Sequence, residues 1–179
     1  MDKSRRDAMR VATALALAFG SGLLTPAEVF GAELDGFRID HIDGMTVEEA
    51  EHQIATRLYQ NTAKVHFDGL SAASTRFGKR LIYGGHVISL ARSLSFNGLA
   101  NAFHIAAING GRHVAPLFAG DTVFAWSEVL DTQPLPGRDD VGALRLRLVA
   151  VKNRTAEAFP LKSGEGYADG VILDLDYWA

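Results

Sequence analysis

The segment from Leu81 to Ile108 constrains the fold more than any other part of the sequence. It starts with a short apolar run, Leu81 to Tyr83, passes through Gly84-Gly85, and then carries apolar or small residues at nearly every third or fourth position from His86 to Ile108. This spacing predicts a short strand followed by a helix of about 22 residues, which Gly110-Gly111 ends. Because so few of its residues are charged, such a long helix has to be largely buried.

The residues after this helix follow the period of two that is typical of strands. Within Ala143 to Leu148 leucines alternate with Arg145 and Arg147, which predicts that the leucines face the helix and the arginines face water. Four strands after one helix, with no helices between them, predict an α+β fold in which an antiparallel sheet wraps around the buried helix. The predicted strands are Val114 to Leu117, Thr122 to Leu130, Val141 to Lys152, and Gly170 to Trp178.

A second, amphipathic helix is predicted nearer the N-terminus, over Thr46 to Tyr59. Thr46 and Glu49 have the spacing of a capping box, which indicates where this helix begins. His52 falls on its polar side and is expected to face solvent. Its apolar face, expected to pack on the domain, consists of Ala50, Ile54 and Leu58.

The segments around this second helix are predicted to be short or irregular. A weak alternation over Gly36 to Asp43 indicates a short edge strand before it. Gln60 to Asp68, directly after it, is predicted to be a loop or short turn. Gly69 to Lys79 is rich in serine, alanine and glycine, which predicts a flexible surface loop or flap.

Composition excludes several classes of protein. With 179 residues, 47% hydrophobic and 22% charged, the chain is long enough for one domain with a sizeable core. The formal net charge is −3 and no Lys/Arg-rich run follows the first ten residues, which disfavours nucleic-acid binding. With no cysteine, a disulfide framework, a cysteine nucleophile and a cysteine-ligated zinc are excluded. His41, His104 and His113 lack the spacing of metal ligands, so no metal site is predicted.

Residues 1–36 form an N-terminal extension ahead of the single domain predicted for residues 37–179. Ser4 to Arg10 is basic and is followed by an apolar run from Val11 to Leu24, an order that resembles a twin-arginine export signal. The apolar run of about 14 residues is shorter than the roughly 20 that a membrane-spanning helix needs. The alternative is an alanine-rich helix over Asp7 to Phe19 that packs on the domain or on a partner.

One polar segment resembles an enzyme motif. Asn61-Thr62-Ala63-Lys64-Val65-His66 lies where MaoC-like (R)-specific enoyl-CoA hydratases, which have the hot-dog fold, carry Asp-x-Asn-Pro-x-His. Longer segments are similar to the mesaconyl-CoA hydratases of that family, also called β-methylmalyl-CoA dehydratases. These segments are L-Y-Q-N-T-A-K-V-H-F, R-L-I-Y-G-G-H-V-I-S, L-S-F-N-G-L-A-N-A, F-A-G-D-T-V-F-A-W-S-E-V-L and L-D-L-D-Y-W-A. The resemblance runs from about Ile39 to the C-terminus and covers the second of the two hot-dog modules of those enzymes.

This resemblance implies reversible hydration of an enoyl-CoA thioester, such as mesaconyl-CoA to β-methylmalyl-CoA. His66 matches the family's catalytic histidine, and an imidazole can take and return a proton near neutral pH. The Gly85 N–H, at the start of the long helix, matches the amide that holds the thioester oxygen. Asn61 stands where the family has Asp and cannot transfer a proton, so its implied role is to hold the attacking water. Asp68 would share a strand face with His66 and is the reserve acid.

Four further residues are candidates for substrate binding. Gly84 is needed for a tight turn into the helix, and it also allows close approach of a substrate to the backbone. His86 either lines the acyl pocket or only packs, and Tyr59 is expected to form a wall of that pocket. Arg112 is a candidate contact of the coenzyme A phosphates.

The resemblance also implies partners and a location. Coenzyme A enters as part of the substrate, and no separate cofactor is expected. Because active sites of the family form where two hot-dog modules pair, the resemblance implies a homodimer or a separate hot-dog partner subunit. Neither nucleic acid nor a membrane is expected as a partner. Coenzyme A implies a cytoplasmic location, with export as the alternative. Two other functions stay open, an acyl-CoA thioesterase on the same fold and a non-catalytic module that binds acyl-CoA or completes a partner's fold.

Overall fold

The computed structural model describes residue 34 and residues 36–102, 104–138 and 140–179. The export signal and the packing helix predicted within residues 1–36 lie outside the described residues, because only Leu34 and Gly36 of that extension are described. The boundary between the extension and the domain therefore stays a prediction. The domain predicted for residues 37–179 is described almost throughout.

The helices of the described residues all come before the second strand. They are α1 (Glu49–Leu58), α2 (Lys64–Phe67), α3 (Gly69–Ala73), α4 (Gly84–Leu94) and α5 (Phe96–Leu99). The strands are β1 (Arg38–Thr46), β2 (Ala107–His113), β3 (Thr122–Pro134), β4 (Gly142–Lys152), β5 (Lys162–Ser163), β6 (Gly166–Tyr167) and β7 (Val171–Trp178). In the described residues, the strands from β2 onward follow one another without a helix between them.

One antiparallel sheet of five strands organises the domain. Its order is β1-β3-β4-β7-β2, and β5 pairs with β6 in a small separate hairpin. As predicted, Leu146 and Leu148 of β4 are fully buried. Arg145 and Arg147 lie on the other face of β4, where they pair with acidic residues of β7 and β3. The predictions of an α+β fold with an antiparallel sheet, and of an edge strand at β1, are confirmed.

Helix α4 is the helix that the sheet encloses. Its buried residues are Val87, Leu90, Ala91 and Leu94. They share one core with inward-facing side chains of the sheet, among them Leu148 and Tyr177. Burying a large aliphatic side chain contributes about 1.5–3 kcal/mol, so this shared core holds the helix firmly on the sheet. The N-terminus of α4 therefore has a defined place in the domain.

The central helix is shorter than its sequence pattern predicts. It has 11 residues and ends at Leu94, so the prediction of one helix from His86 to Ile108 is wrong. The backbone leaves the helical conformation at Asn97 and reaches a φ of 105° at Gly98. Glycine adopts positive φ without steric cost and Asn-Gly pairs favour turns, so this pair ends the helical path despite the apolar spacing around it.

Gly110-Gly111 does not end a helix but lies inside β2, which corrects the second half of that prediction. β2 pairs with β7 along the open edge of the sheet. A short apolar run does not by itself distinguish a helix from a strand, and here the available partner strand decides. A Cβ at Gly111 would lie 2.9 Å from Leu175 Cδ1 of β7, so glycine permits the close approach of the two strands.

Two of the predicted short strands are absent from the described residues. Leu81 to Tyr83 is extended, but its three N–H groups bond to three unrelated acceptors, namely Val65 O, Leu117 O and His52 Nε2. A strand ladder instead needs successive bonds to one partner strand. Val114 to Leu117 forms no strand because Pro116, which has no N–H, interrupts the pairing after Val114.

Several element boundaries differ from the predictions. α1 does begin with a capping box, but Glu48 and Glu51 form it rather than Thr46 and Glu49. Thr46 belongs to β1, which runs further than predicted. α3 lies in Gly69 to Lys79, which is predicted to be a loop. α2 is a single helical turn within Gln60 to Asp68, which is predicted to be a loop or short turn. β3 extends to Pro134 because its pairing with β4 continues there.

The buried face of α1 is the opposite of the predicted one. Ile54 and Leu58, predicted to pack on the domain, are 58% and 72% exposed. His52, predicted to face solvent, is 0% exposed, and Gln53 and Thr56 are buried with it. The apolar pattern misleads because α1 packs against polar backbone groups of the segments around His66 and Tyr83 rather than against the apolar core.

Candidate active site

The imidazole of His66 lies on the single turn of α2, half-buried against the segment that leads into α4. Its Nδ1 is 2.8 Å from the carbonyl oxygen of Leu81. Because a carbonyl oxygen can only accept a hydrogen bond, Nδ1 must carry the proton, and the neutral ring then has its lone pair on Nε2. A ring nitrogen with a free lone pair is what a general base requires.

A second hydrogen bond joins the same two segments. The N–H of Leu81 donates to the carbonyl oxygen of Val65 over 3.0 Å. The His66 turn and the approach to α4 are therefore linked once through the backbone and once through the imidazole. The imidazole cannot swing away from the start of α4 without breaking its bond to Leu81. The structure thus brings the predicted histidine and the predicted glycines to one place.

Gly84 and Gly85 form the first turn of α4, where the backbone N–H groups have no partner within the helix. Among the described residues, the N–H of Gly85 has no acceptor, and Gly85 is exposed. A Cβ at Gly84 would overlap the His113 ring, and one at Gly85 would overlap the Tyr83 ring. A side chain at either position would therefore require the neighbouring ring to shift. The lack of a side chain also leaves the Gly85 N–H accessible to a ligand.

Three imidazoles surround the ring of Tyr83. We call His52, His66, His86 and Tyr83 the imidazole cluster. The ring centroids of His52, His66 and His86 are 6.1, 6.2 and 6.2 Å from that of Tyr83. His52 and Tyr83 were not among the candidates chosen from the sequence. The available signals are weak: Tyr83 directly precedes the two glycines, and His52 lies in the polar run Glu51-His52-Gln53 inside a helix.

His52 is the fully buried member of this cluster. Its Nε2 accepts the N–H of Tyr83 over 3.2 Å, and its Nδ1 lies 3.4 Å from the Gln53 amide. Burial, with a smaller contribution from the nearby His86, lowers the pKa of His52 to about 4. His52 is therefore neutral at physiological pH, which it must be if Nε2 is to accept the Tyr83 N–H.

This lowered pKa predicts a loss of stability in mild acid. Between about pH 6.5 and pH 4 the unfolded chain binds a proton at residue 52 that the folded chain does not, so the free energy of unfolding falls as the pH falls. The expected contribution of His52 at pH 4.5 is about 2–3 kcal/mol. Urea unfolding of the wild type and of His52→Gln at pH 7 and pH 4.5 measures it.

The comparison with His52→Gln isolates this histidine from the others. Burial also lowers the pKa values of His41 and His113, which adds acid sensitivity of the same sign to both proteins. Glutamine does not titrate, so the variant should lose less stability between the two pH values than the wild type does. Equal losses in the two proteins would contradict the prediction.

Asn61 lines an open pocket and is not part of the imidazole cluster. Its Oδ1 accepts the N–H of Ala63 over 3.0 Å and so stabilises the turn before α2. The pocket has a volume of about 340 Å³, and His66 is not part of its wall. The residues that line it are Thr56, Arg57, Gln60, Asn61, Thr62 and Phe67.

Asp68 does not share a strand face with His66, which corrects the sequence-based expectation. The two residues belong to a helical turn and its end, not to a strand. The Asp68 Oδ1 accepts the N–H of Ser71 over 3.0 Å and caps α3. This carboxylate therefore stabilises a helix start, a common use of aspartate at such positions.

Of the remaining predicted binding residues, His86 belongs to the imidazole cluster, whereas Tyr59 and Arg112 lie outside it. The Nε2 of His86 is 3.4 Å from Glu51 on α1. Tyr59 is exposed at the end of α1, with its ring centroid 6.4 Å from that of Tyr83. Arg112 lies on β2, opposite Asp174 of β7. The adjacent His113 points towards Gly84, so the side chain of Arg112 is on the face of the sheet that points away from Gly84.

Metal and membrane features are absent from the described part of the chain. No group of three or more histidine and acidic side chains within it is arranged to hold a metal ion. None of its helices has the length and apolar character needed to cross a bilayer.

The architecture defines the class of protein. An antiparallel sheet wrapped around one helix is the arrangement of a hot-dog module. A MaoC domain dehydratase of Chloroflexus aurantiacus has a crystal structure that matches 87% of this chain and 46% of its own, with a TM-score of 0.77 and 56% identity. A Mycobacterium tuberculosis protein with a double hot-dog fold matches 84% of this chain and 40% of its own, with a TM-score of 0.60 and 26% identity.

Two curated relatives narrow this class. The chain is 65% identical over 147 residues to mesaconyl-CoA hydratase of Cereibacter sphaeroides, and 62% identical over 143 residues to β-methylmalyl-CoA dehydratase of Chloroflexus aurantiacus. These matches cover 80% and 79% of this chain but 41% of each relative, so the chain spans about two fifths of their length. No protein-family model matches the sequence. The chain belongs to the MaoC-like hot-dog family, and the resemblance noted from its motifs is confirmed.

Proposed function

We propose that this chain is a hydro-lyase module that reversibly hydrates an enoyl-CoA thioester, with mesaconyl-CoA to β-methylmalyl-CoA as the reaction. One observation carries the proposal: the bond from His66 Nδ1 to the Leu81 carbonyl oxygen leaves the lone pair of the ring on Nε2. The centroid of this ring is 6.2 Å from that of Tyr83, the residue that precedes the first turn of α4. The identity of 62–65% to relatives named for this hydration and dehydration supports the choice of substrate.

The chemistry needs one base and one donor. His66 Nε2 takes a proton from water as the water oxygen adds to the β-carbon of the thioester. The electrons move to the thioester oxygen, and the Gly85 N–H stabilises the resulting enolate. His66 then returns the proton to the α-carbon, so that H and OH have been added across the double bond. No cofactor is needed besides the coenzyme A that the substrate carries.

Asn61 is proposed to orient the attacking water rather than to transfer a proton. Its amide can donate and accept hydrogen bonds but does not titrate. The side chain is half-buried at the pocket, on the segment that leads into α2. His66 therefore performs both proton transfers, which departs from the Asp and His pair of the family motif. Tyr59 and His86 are proposed to contact the acyl group, because both lie beside Tyr83.

The active form is proposed to be a pair of hot-dog modules, either two copies of this chain or this chain with a separate partner subunit. Two surfaces are consistent with pairing. All seven residues of the edge strand β2 are exposed, and the apolar side chains of Ile54 and Leu58 on α1 have no cover among the described residues. The two curated relatives, of which this chain spans about two fifths, have room for a second module. Because the substrate carries coenzyme A, a cytoplasmic location is proposed.

A hydration assay on the purified chain tests this function. Loss of the enoyl double bond is followed with mesaconyl-CoA and crotonyl-CoA, together with release of free thiol and the oligomeric state. We expect double-bond loss without thiol release, faster with mesaconyl-CoA, in a fraction of dimer size. Thiol release would identify a thioesterase instead. Binding of acyl-CoA without turnover, in a chain of dimer size, would identify a non-catalytic module.

A further inference from the structure

Helix α1 buries polar side chains and exposes apolar ones. His52 and Gln53 are 0% and 6% exposed, whereas Ile54 and Leu58 are mostly exposed. Burying polar groups is unfavourable unless they are hydrogen-bonded, so the bonds that these two side chains make account for the orientation of the helix. An amphipathic helix that only had to pack would turn its other face inward.

The two buried side chains bind two different segments. His52 Nε2 accepts the N–H of Tyr83 over 3.2 Å, on the segment that leads into α4. Gln53 Nε2 donates to the carbonyl oxygen of His66 over 3.0 Å, on the turn of α2. Adjacent residues of one rigid helix therefore hold the backbone of the histidine and the backbone that precedes the glycine pair.

We propose that His52 and Gln53 are positioning residues, which set the proposed base His66 and the proposed donor Gly85 at their working separation. The inference rests on the function proposed above. Neither side chain needs to touch the substrate. His52 acts through the amide of Tyr83, two residues before Gly85, and Gln53 acts through the backbone of His66. The hydrogen bond between His66 Nδ1 and the Leu81 carbonyl oxygen joins these two segments directly. The bonds from His52 and Gln53 connect the same two segments a second time, through α1.

Replacing His52 by leucine tests this role, because leucine is similar in size but accepts no hydrogen bond. A displacement of about 1 Å between reacting groups can lower a rate about 100-fold, so we expect kcat to fall by about 10–100-fold. KM should change little, because Tyr59 and His86, the proposed contacts of the acyl group, are unaltered. In His52→Gln the side-chain oxygen replaces the acceptor near the position of Nε2, and most of kcat should return.

His41 supplies a matched control. It is 1% exposed and makes two hydrogen bonds, to the Asn97 carbonyl oxygen and to the Ser127 hydroxyl, neither of which belongs to the site. His41→Leu should lower stability as His52→Leu does but leave kcat unchanged at a temperature where both are folded. Equal effects of the two substitutions on kcat, or none from His52→Leu, would overturn the proposal.

A spectroscopic measurement separates this inference from the proposed function. Nitrogen-15 shifts of the His66 ring report which nitrogen carries the proton, and we expect protonated Nδ1 in the wild type and a mixture of tautomers in His52→Leu. If His52→Leu does not fold, Gln53→Met gives the same test, because methionine has nearly the length of glutamine without its donor. An unchanged His66 tautomer would overturn the positioning role even in an active enzyme. A changed tautomer in a chain that hydrates nothing would instead contradict the proposed function alone.

Discussion

Replacing His66 by alanine is expected to lower kcat for hydration of mesaconyl-CoA by about 10²–10⁴-fold, the usual contribution of a general base. The reason is that Nε2 of His66 has a free lone pair beside the start of α4, while Nδ1 is held by Leu81. The rate of double-bond loss at saturating substrate gives kcat. Circular dichroism with thermal unfolding establishes that the variant is folded.

The matched control for this prediction is His104→Ala. His104 is exposed and belongs neither to the imidazole cluster nor to the pocket. This variant should retain the activity of the wild type. If His66→Ala stays folded and keeps more than about one tenth of the wild-type kcat, a loss far below that of a general base, another group performs the proton transfer. The chain would then be either a different catalyst or a binding module.

The second large effect is expected at Gly85, and two substitutions separate its steric role from its N–H. Alanine and proline each add a carbon that overlaps the Tyr83 ring, but only proline removes the N–H. Gly85→Pro should therefore have a kcat about 10²–10³-fold below that of Gly85→Ala, the usual result of removing one donor from an oxyanion site. The same hydration assay measures both.

The stabilities of these two variants provide the control. Proline is tolerated in the first turn of a helix because the N–H there has no intrahelical partner. Among the described residues the N–H of Gly85 indeed has no acceptor, so its loss should not unfold the domain. Equal activities of Gly85→Pro and Gly85→Ala, with both folded, would show that this N–H does not stabilise the transition state.

The strands were predicted best where each one has a buried face and an exposed face. Leu146 and Leu148 alternate with Arg145 and Arg147, and this local pattern places β4 in the sheet without further information. The alternation of buried and exposed residues also predicts β7. The helical spacing of Val87 and Leu90 predicts the buried start of α4. Such elements are readable because side-chain periodicity follows directly from backbone geometry.

The predictions failed where the partner of a segment decided its structure. The sequence predicts the end of a helix at Ala107 and Ile108 of β2, because apolar residues there do not reveal that β7 offers an open edge. α1 was oriented wrongly because Ile54 and Leu58 form a regular apolar face, while the domain presents polar backbone groups to His52 and Gln53. Asp68 was misjudged because a strand was assumed where α2 makes a helical turn.

By itself, the sequence determined the family, the antiparallel sheet around a buried helix, and the choice of His66 and Gly85 as the groups to examine. Only the tertiary structure decided which nitrogen of His66 is free, and it alone revealed His52 as the partner of Tyr83. These two residues are 31 positions apart, and no local spacing links them. The physical reason is that the free lone pair and the buried imidazole both depend on hydrogen bonds to backbone groups, which every residue carries and which no side-chain pattern encodes.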